Sequence, residues 1–165
     1  MKRVVIVRHA KSVPYGYDDD FNRDLKEPRG FNDARKVSEE LRNYGALPDL
    51  IASSPAKRAL KTGRIFAGTF EYPPERIEEW EDLYEGISTH ELVTWLNGLS
   101  DSLNTVYIFG HNPTVFYLIK GLAAVFNEDM PTSSSVAIDF ELDSWKDLSQ
   151  GSGKVAFQLT PRMFK

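Results

Sequence analysis

No cysteine occurs anywhere in the 165-residue chain. Its absence excludes disulfides, a thiolate nucleophile and any cysteine-ligated zinc or iron–sulfur centre. Histidine is nearly as scarce, with three copies, His9, His90 and His111. No apolar run approaches the roughly 20 residues of a membrane span. The first apolar run, Val4 to Val7, stops after a few residues at Arg8, which is unlike a secretory signal. A cytoplasmic protein with no membrane association is therefore expected. Positive charge is not in surplus either. Twenty Lys and Arg stand against 24 Asp and Glu, a net charge of -4, which argues against a broad nucleic-acid-binding surface. It leaves room for a small basic pocket in an acidic envelope. The chain has no internal repeat, linker or low-complexity segment, so one domain over residues 1–165 is expected, as a monomer.

What is present is a pattern that occurs three times. A short apolar run is followed by a polar or cationic turn and then by a helix start. Lys2 to Ile6 reads as a buried strand ending at Arg8-His9. A second strand over 49–53 leads to Ser54-Pro55-Ala56-Lys57-Arg58, and a third over 105–109 leads to Gly110-His111-Asn112-Pro113. In open α/β sheets, ligands bind beyond the carboxyl ends of the strands. Three such ends carrying Arg8, His9, Arg58 and His111 describe one anion site built from separated segments.

The intervening residues fill in the architecture. Residues 11–29 form a polar loop with Pro14, Gly16, Pro28 and the acidic run Asp18-Asp19-Asp20. That run is compatible with metal ligation, but a solvated loop is the simpler reading. A helix is expected from Gly30 to Tyr44, since Phe31, Ala34, Val37, Leu41 and Tyr44 form an apolar stripe, with Gly45 as its C-cap. Ser54 and Pro55 read as the N-cap and first residue of a helix to about Ala67, whose open backbone donors would favour an anion near Arg58. Lys57, Lys61 and Arg64 on that helix read as solvent-facing charge. Residues 68–86 carry no clear element. Ser88 with Glu91 is a capping-box signature for a helix to about Leu96, and His90 inside it reads as structural. Asn112 and Pro113 are expected to cap and start a helix to about Phe126. Residues 135–142 and 154–160 alternate in character and read as an antiparallel hairpin at the sheet edge. Trp80, Trp95 and Trp145 read as packing residues. The fold class is α/β: a three-layer α/β/α sandwich, a mostly parallel sheet with an antiparallel C-terminal edge.

The chemistry of such a site follows from charge. A phosphate monoester or phosphoramidate carries about two negative charges near neutral pH. Two guanidiniums, each a planar fork, and a protonated imidazole can bind its oxygens with charge-assisted hydrogen bonds, and a second histidine, neutral at one ring nitrogen, can attack phosphorus. Such a step needs no metal and no cofactor.

Arg8-His9-Ala10, Ser53-Ser54-Pro55 with Arg58, Ala59 and Thr62, and Gly110-His111-Asn112-Pro113 resemble the histidine phosphatase, or phosphoglycerate-mutase-like, superfamily. Lys11-Ser12, Asp20, Arg23, Leu25, Gly30, Asp33 and Ala34 are similar to its small SixA-type phosphohistidine phosphatases. The resemblance spans about residues 3–125. It implies that His9 is the phosphorylated nucleophile and that Arg8, Arg58 and His111 bind phosphate. Asp20 and Arg23 would shape the pocket and contact substrate. Glu81, three residues before Tyr84, would be the acid, with Glu85 as rival. Ala10 departs from the glycine common at this position in the wider superfamily. The implied activity is metal-independent removal of phosphate from phosphohistidine on proteins. A phosphomonoesterase for small molecules and a non-catalytic phosphate-binding module are the alternatives. Mutases of this group carry long insertions between the positions of Arg58 and His111. In this chain the two lie 53 positions apart, which implies a shallow, open pocket and a phosphorylated protein as partner.

Overall fold

The computed structural model describes residues 1–14 and 19–164. Gly16 and Asp18 of the first loop lie outside them. Six strands form one sheet in the order β3-β2-β4-β1-β5-β6. They are β1 (Lys2–Arg8), β2 (Leu50–Ser53), β3 (Glu78–Glu79), β4 (Thr105–Gly110), β5 (Ser135–Phe140) and β6 (Lys154–Leu159). Strands β1, β2, β3 and β4 run parallel, while β5 pairs antiparallel with β1 and with β6. The helices are α1 (Arg29–Asn43), α2 (Lys57–Phe70), α3 (Asp82–Glu85), α4 (Thr89–Asn97) and α5 (Thr114–Leu122).

Strand alternation assigns the two faces. Val5, Val7, Tyr107 and Phe109 pack with Ala34, Val37, Leu41 and Phe66 of α1 and α2. Val4, Ile6, Val106 and Ile108 pack with Leu92 and Leu96 of α4 and with Val115, Leu118, Ile119 and Leu122 of α5. Both faces are covered, so β1 and β4 are continuous apolar runs, as buried parallel strands require. This is the three-layer α/β/α sandwich with an antiparallel edge. Lys2 is 2% exposed but satisfied: its ammonium donates to the carbonyls of Asp101 and Leu103 and to Asn104 Oδ1 at 2.7 to 3.0 Å. Trp145 is fully buried and Trp80 stacks on Trp95 with ring centroids 4.9 Å apart, so all three tryptophans pack.

Helix ends show where local signals hold and where the tertiary fold overrides them. α1 ends in a Schellman motif. Gly45 sits at φ +74°, its N–H donates to the Arg42 carbonyl, and the Ala46 N–H donates to that of Leu41. The capping box at Ser88 and Glu91 is complete. Ser54, by contrast, does not cap α2. The helix begins at Lys57, whose N–H donates to the Phe21 carbonyl at 3.0 Å, so a neighbouring loop supplies the acceptor expected from Ser54. Asn112 does not cap α5 either. Its side-chain amide donates to the Met130 carbonyl at 3.0 Å, and the helix starts at Thr114. α5 ends at Leu122, four residues short of the expected end at Phe126. There the chain turns to pair Ala123 with Gly153. Residues 68–86, without a clear element in sequence, contribute the edge strand β3 and the short α3.

The loop after β1 folds back on itself. Ser12 bridges Leu25, and the Lys11 carbonyl accepts the N–H of Lys26 at 2.8 Å. Gly30 fits beneath this loop because it lacks a side chain: a Cβ there would lie 2.5 Å from the Lys11 carbonyl oxygen. Gly30→Ala should therefore force the loop off α1 and destabilise the protein by roughly 1–3 kcal/mol. Urea denaturation measures this, and a midpoint equal to that of the unsubstituted protein would contradict the packing described.

Candidate functional site

Register brings the three strand ends to one rim. Arg8 lies opposite Gly110 in the β1–β4 pair, and Ser53 lies opposite Phe109 in the β2–β4 pair. His9, Ser54 and His111 are therefore the first residues past the paired strands. The His9 N–H still donates to the Gly110 carbonyl, and the Ser54 N–H to that of Phe109, both at 3.0 Å. The rings of His9 and His111 pack with centroids 5.2 Å apart. Ser133, in the left-handed region at φ +61°, shares its N–H between the carbonyls of Arg8 and His9 at 3.1 Å each. Thr62 clamps the other side: its hydroxyl accepts the Ala10 N–H at 2.9 Å and donates to the Arg58 carbonyl at 2.7 Å.

His9 is 7% exposed, and its Nδ1 lies 2.8 Å from the Ala10 carbonyl oxygen. A carbonyl only accepts, so Nδ1 carries the hydrogen and the lone pair of the neutral ring is on Nε2. Burial, reinforced by the charges of Arg58 and Arg8, pulls the His9 pKa down to about 3. Burial and Arg58 pull His111 down to about 4. Both rings are therefore neutral at physiological pH, and the protonated imidazole expected among the phosphate ligands is not present, because burial disfavours the charged form.

The guanidiniums divide into two situations. Arg8 has no carboxylate partner among the described residues. It donates to the Met130 carbonyl at 3.0 Å, its Nε is buried without an acceptor, and burial lowers its pKa. It is not an interior ion-pair partner. Arg58 is 4% exposed and engaged by Asp20: one Nη donates to the Asp20 carbonyl and the other to its carboxylate at 3.2 Å. Arg23 pairs with the same carboxylate at 3.0 Å, and the Tyr84 hydroxyl donates to it at 2.8 Å. Burial opposes ionisation of Asp20, but Tyr84 and the arginines outweigh it and hold the pKa below the usual carboxylate range.

The structure thus brings Arg8, His9, Arg58, His111, Asp20 and Arg23 together. Glu81 is exposed at the start of α3, and its carboxylate has no hydrogen bond or ion pair among the described residues. Tyr84 of the same turn reaches inward instead, its ring edge-on to His111 at 5.7 Å. Glu85 is likewise exposed. Lys57 and Arg64 are solvent-facing as expected, and Lys57 and the half-buried Lys61 also pair with Asp24 at 3.3 and 2.8 Å, tying the loop to α2. Among the described residues no group of three or more His, Asp or Glu side chains is placed to hold a metal. No helix among them is long and apolar enough to cross a membrane.

Two residues at the site are named in the sequence reading without the contacts they make: Tyr84, there only the spacing mark for Glu81, and Ser54, there a helix cap and part of the Ser53-Ser54-Pro55 motif. His111 Nε2 lies 2.7 Å from the Ser54 hydroxyl oxygen.

The family model of the histidine phosphatase superfamily (branch 1) matches residues 4–97, more than half of the chain. The chain belongs to the histidine phosphatase superfamily. It is 29% identical over 166 residues to the uncharacterized protein Rv1276c of Mycobacterium tuberculosis, covering 94% of this chain and all of that one. Its fold is shared with the protein histidine phosphatase SixA solved with tungstate. That pair has a TM-score of 0.85 at 21% identity and covers 99% of each chain. The mycobacterial glucosyl-3-phosphoglycerate phosphatase Rv2419c has the same fold, with a TM-score of 0.69 at 14% identity over 97% of this chain and 98% of that one. In this histidine phosphatase superfamily member, then, two neutral imidazoles and the guanidiniums of Arg8, Arg23 and Arg58 share a single rim, with Asp20 engaging the last two.

The lowered histidine pKa values set a pH dependence of stability. In the unfolded chain both rings take up protons below about pH 6.5, whereas in the native protein they stay neutral until about 4 and about 3. Between those limits the unfolded state binds more protons, so stability falls as pH falls from about 6.5. His9→Asn should make this decline shallower between about pH 7 and pH 5 in urea titrations. An equally steep decline in that variant would mean His9 is not held neutral by the fold.

Proposed function

We propose that this protein is a metal-independent phosphatase that works through a phosphohistidine on His9, with phosphohistidine on proteins as its preferred substrate class. The observation that carries this reading is the bare Nε2 of a neutral His9, fixed by its Nδ1–H···O=C bond to Ala10, beside guanidiniums that suit a dianion. In the first step Nε2 donates its lone pair to phosphorus and the bond from phosphorus to the leaving group breaks. Arg8, Arg58 and His111 hold the phosphoryl oxygens as their charge redistributes. In the second step water attacks the phosphoryl group. The bond from phosphorus to His9 breaks, the lone pair returns to Nε2, and the water's proton leaves with phosphate or to solvent.

The acid expected at Glu81 is taken in this reading by no residue of α3. Asp20 is the carboxylate at the site, and it is ionised by Arg58, Arg23 and Tyr84. An ionised carboxylate is a poor general acid and a good acceptor. That favours a leaving group that needs little enzymic acid, and an imidazole fits better than a sugar alkoxide. A small phosphomonoester is the second reading. A groove of about 840 Å³ meets the site at Arg8 and runs past Asn112, Phe116 and Met130, a size that suits small ligands.

A phosphohistidine-bearing protein and a panel of sugar phosphates, assayed side by side for phosphate release, separate the two. Faster release from the protein supports the first reading, and faster release from a sugar phosphate overturns it. Acetyl phosphate should label the protein with an acid-labile phosphoryl group that is absent in His9→Ala. Arg58→Ala should lose on the order of 10²-fold or more in rate, and excess EDTA should leave activity intact. A loss within twofold for Arg58→Ala would contradict its role in holding the phosphoryl group, and dependence on added magnesium would contradict a metal-free mechanism.

A further inference from the structure

The contact between Ser54 and His111 has a direction that the surrounding atoms determine. Ser54 is fully buried, and its backbone is fixed by its N–H bond to Phe109 and by the Ser53 hydroxyl, which donates to the Ser54 carbonyl at 2.9 Å. The Ser54 Oγ already accepts the Ala56 N–H at 3.2 Å. Its second contact is His111 Nε2 at 2.7 Å. The other ring nitrogen, Nδ1, is buried and has no partner among the described residues.

A neutral imidazole carries one hydrogen, so two arrangements are open. If Nε2 carries it, Ser54 Oγ accepts from both Nε2 and Ala56. The serine's own hydrogen then has no acceptor in a buried place, which costs a desolvated donor. The bare lone pair of Nδ1 would also be the atom left to meet an anion. If Nδ1 carries it, the chain Ala56 N–H to Ser54 Oγ–H to His111 Nε2 leaves one group, Nδ1–H, without a partner, where the first arrangement leaves both the serine hydrogen and the Nδ1 lone pair. Nδ1–H is then the free donor.

We propose that Ser54 is a positioning residue that locks His111 in the Nδ1–H tautomer, making it a neutral hydrogen-bond donor to the substrate phosphate. The ring stays neutral near pH 7 because burial and the charge of Arg58 lower its pKa to about 4. Ser54 thus acts through His111, and its loss should matter only while His111 is present.

The resting protein tests the tautomer without any turnover, so this arm stands apart from the phosphatase reading. In protein labelled with nitrogen-15 histidine, the His111 signals near pH 7 should show a protonated Nδ1 and an unprotonated Nε2. Ser54→Ala should shift them toward the other tautomer while His9 keeps its own, and Ser54→Thr, which retains the hydroxyl, should restore the original pattern. With p-nitrophenyl phosphate, Ser54→Ala should lower kcat/KM about tenfold, the scale of one neutral hydrogen bond. The same change made in His111→Ala should cost almost nothing more. A protonated Nε2 in the unsubstituted protein would overturn the proposal, and so would an equal kinetic loss from Ser54→Ala in both backgrounds. If Ser54→Ala does not fold, the spectrum of the unsubstituted protein and of Ser54→Thr still decides.

Discussion

The parallel pairing of β4 with both β1 and β2 is the constraint from which the rest follows. Backbone hydrogen bonds set Arg8 against Gly110 and Ser53 against Phe109, so three segments far apart in sequence end at one level. A slip of one residue in either ladder would turn every side chain of that strand to the opposite face. The fully buried Val4 to Val7 and Val106 to Phe109, packed on both sides, make such a slip costly. The core therefore fixes the site. Thr62 and Ser133, reaching in from α2 and from the segment before β5, hold the backbone around His9 in place.

Electrostatics then decide what the rim can accept. The protein as a whole is acidic, with a net charge of -4, yet Arg8, Arg23 and Arg58 gather at this rim, where Asp20 pairs with Arg23 and Arg58. Water exclusion keeps both histidines neutral, which preserves the lone pair of His9. Asp20 occupies the donors of Arg58 in the resting structure. A dianion entering beside Arg58 must share or displace that contact, and the bonds of Asp20 to Arg23 and Tyr84 give the carboxylate somewhere to remain. Arg8 and Arg58 each keep a buried Nε with no acceptor among the described residues, and Arg8 has no carboxylate partner there either.

Much of this was legible in the chain. The apolar runs around Val5 and Ile108 are long, uninterrupted and bounded by turn chemistry, so period and length identified buried parallel strands. Each delivered its histidine to the expected end. The capping box at Ser88 and the glycine C-cap at Gly45 hold because both are local devices that need no tertiary partner. The misreadings share the opposite cause. Ser54 and Asn112 have the chemistry of caps, but His111, Met130 and the Phe21 carbonyl, all distant in sequence, redirect them. Glu81 matched by its spacing to Tyr84, and spacing does not reveal that the turn of α3 sends Tyr84 inward and leaves Glu81 in solvent. The segment 68–86 is held by edge pairing with β2 and by aromatic contacts such as that of Trp80 with Trp95, neither of which leaves a periodic trace.

The central claim is that one tetrahedral anion is held jointly by the ends of β1, β2 and β4. A crystal structure with tungstate bound tests it most directly. The oxyanion should lie within bonding or contact distance of His9 Nε2, with Arg8, Arg58 and His111 Nδ1 all donating to its oxygens. Tungstate seated away from His9, or bound there while Arg58 and His111 make no contact with it, would contradict the account.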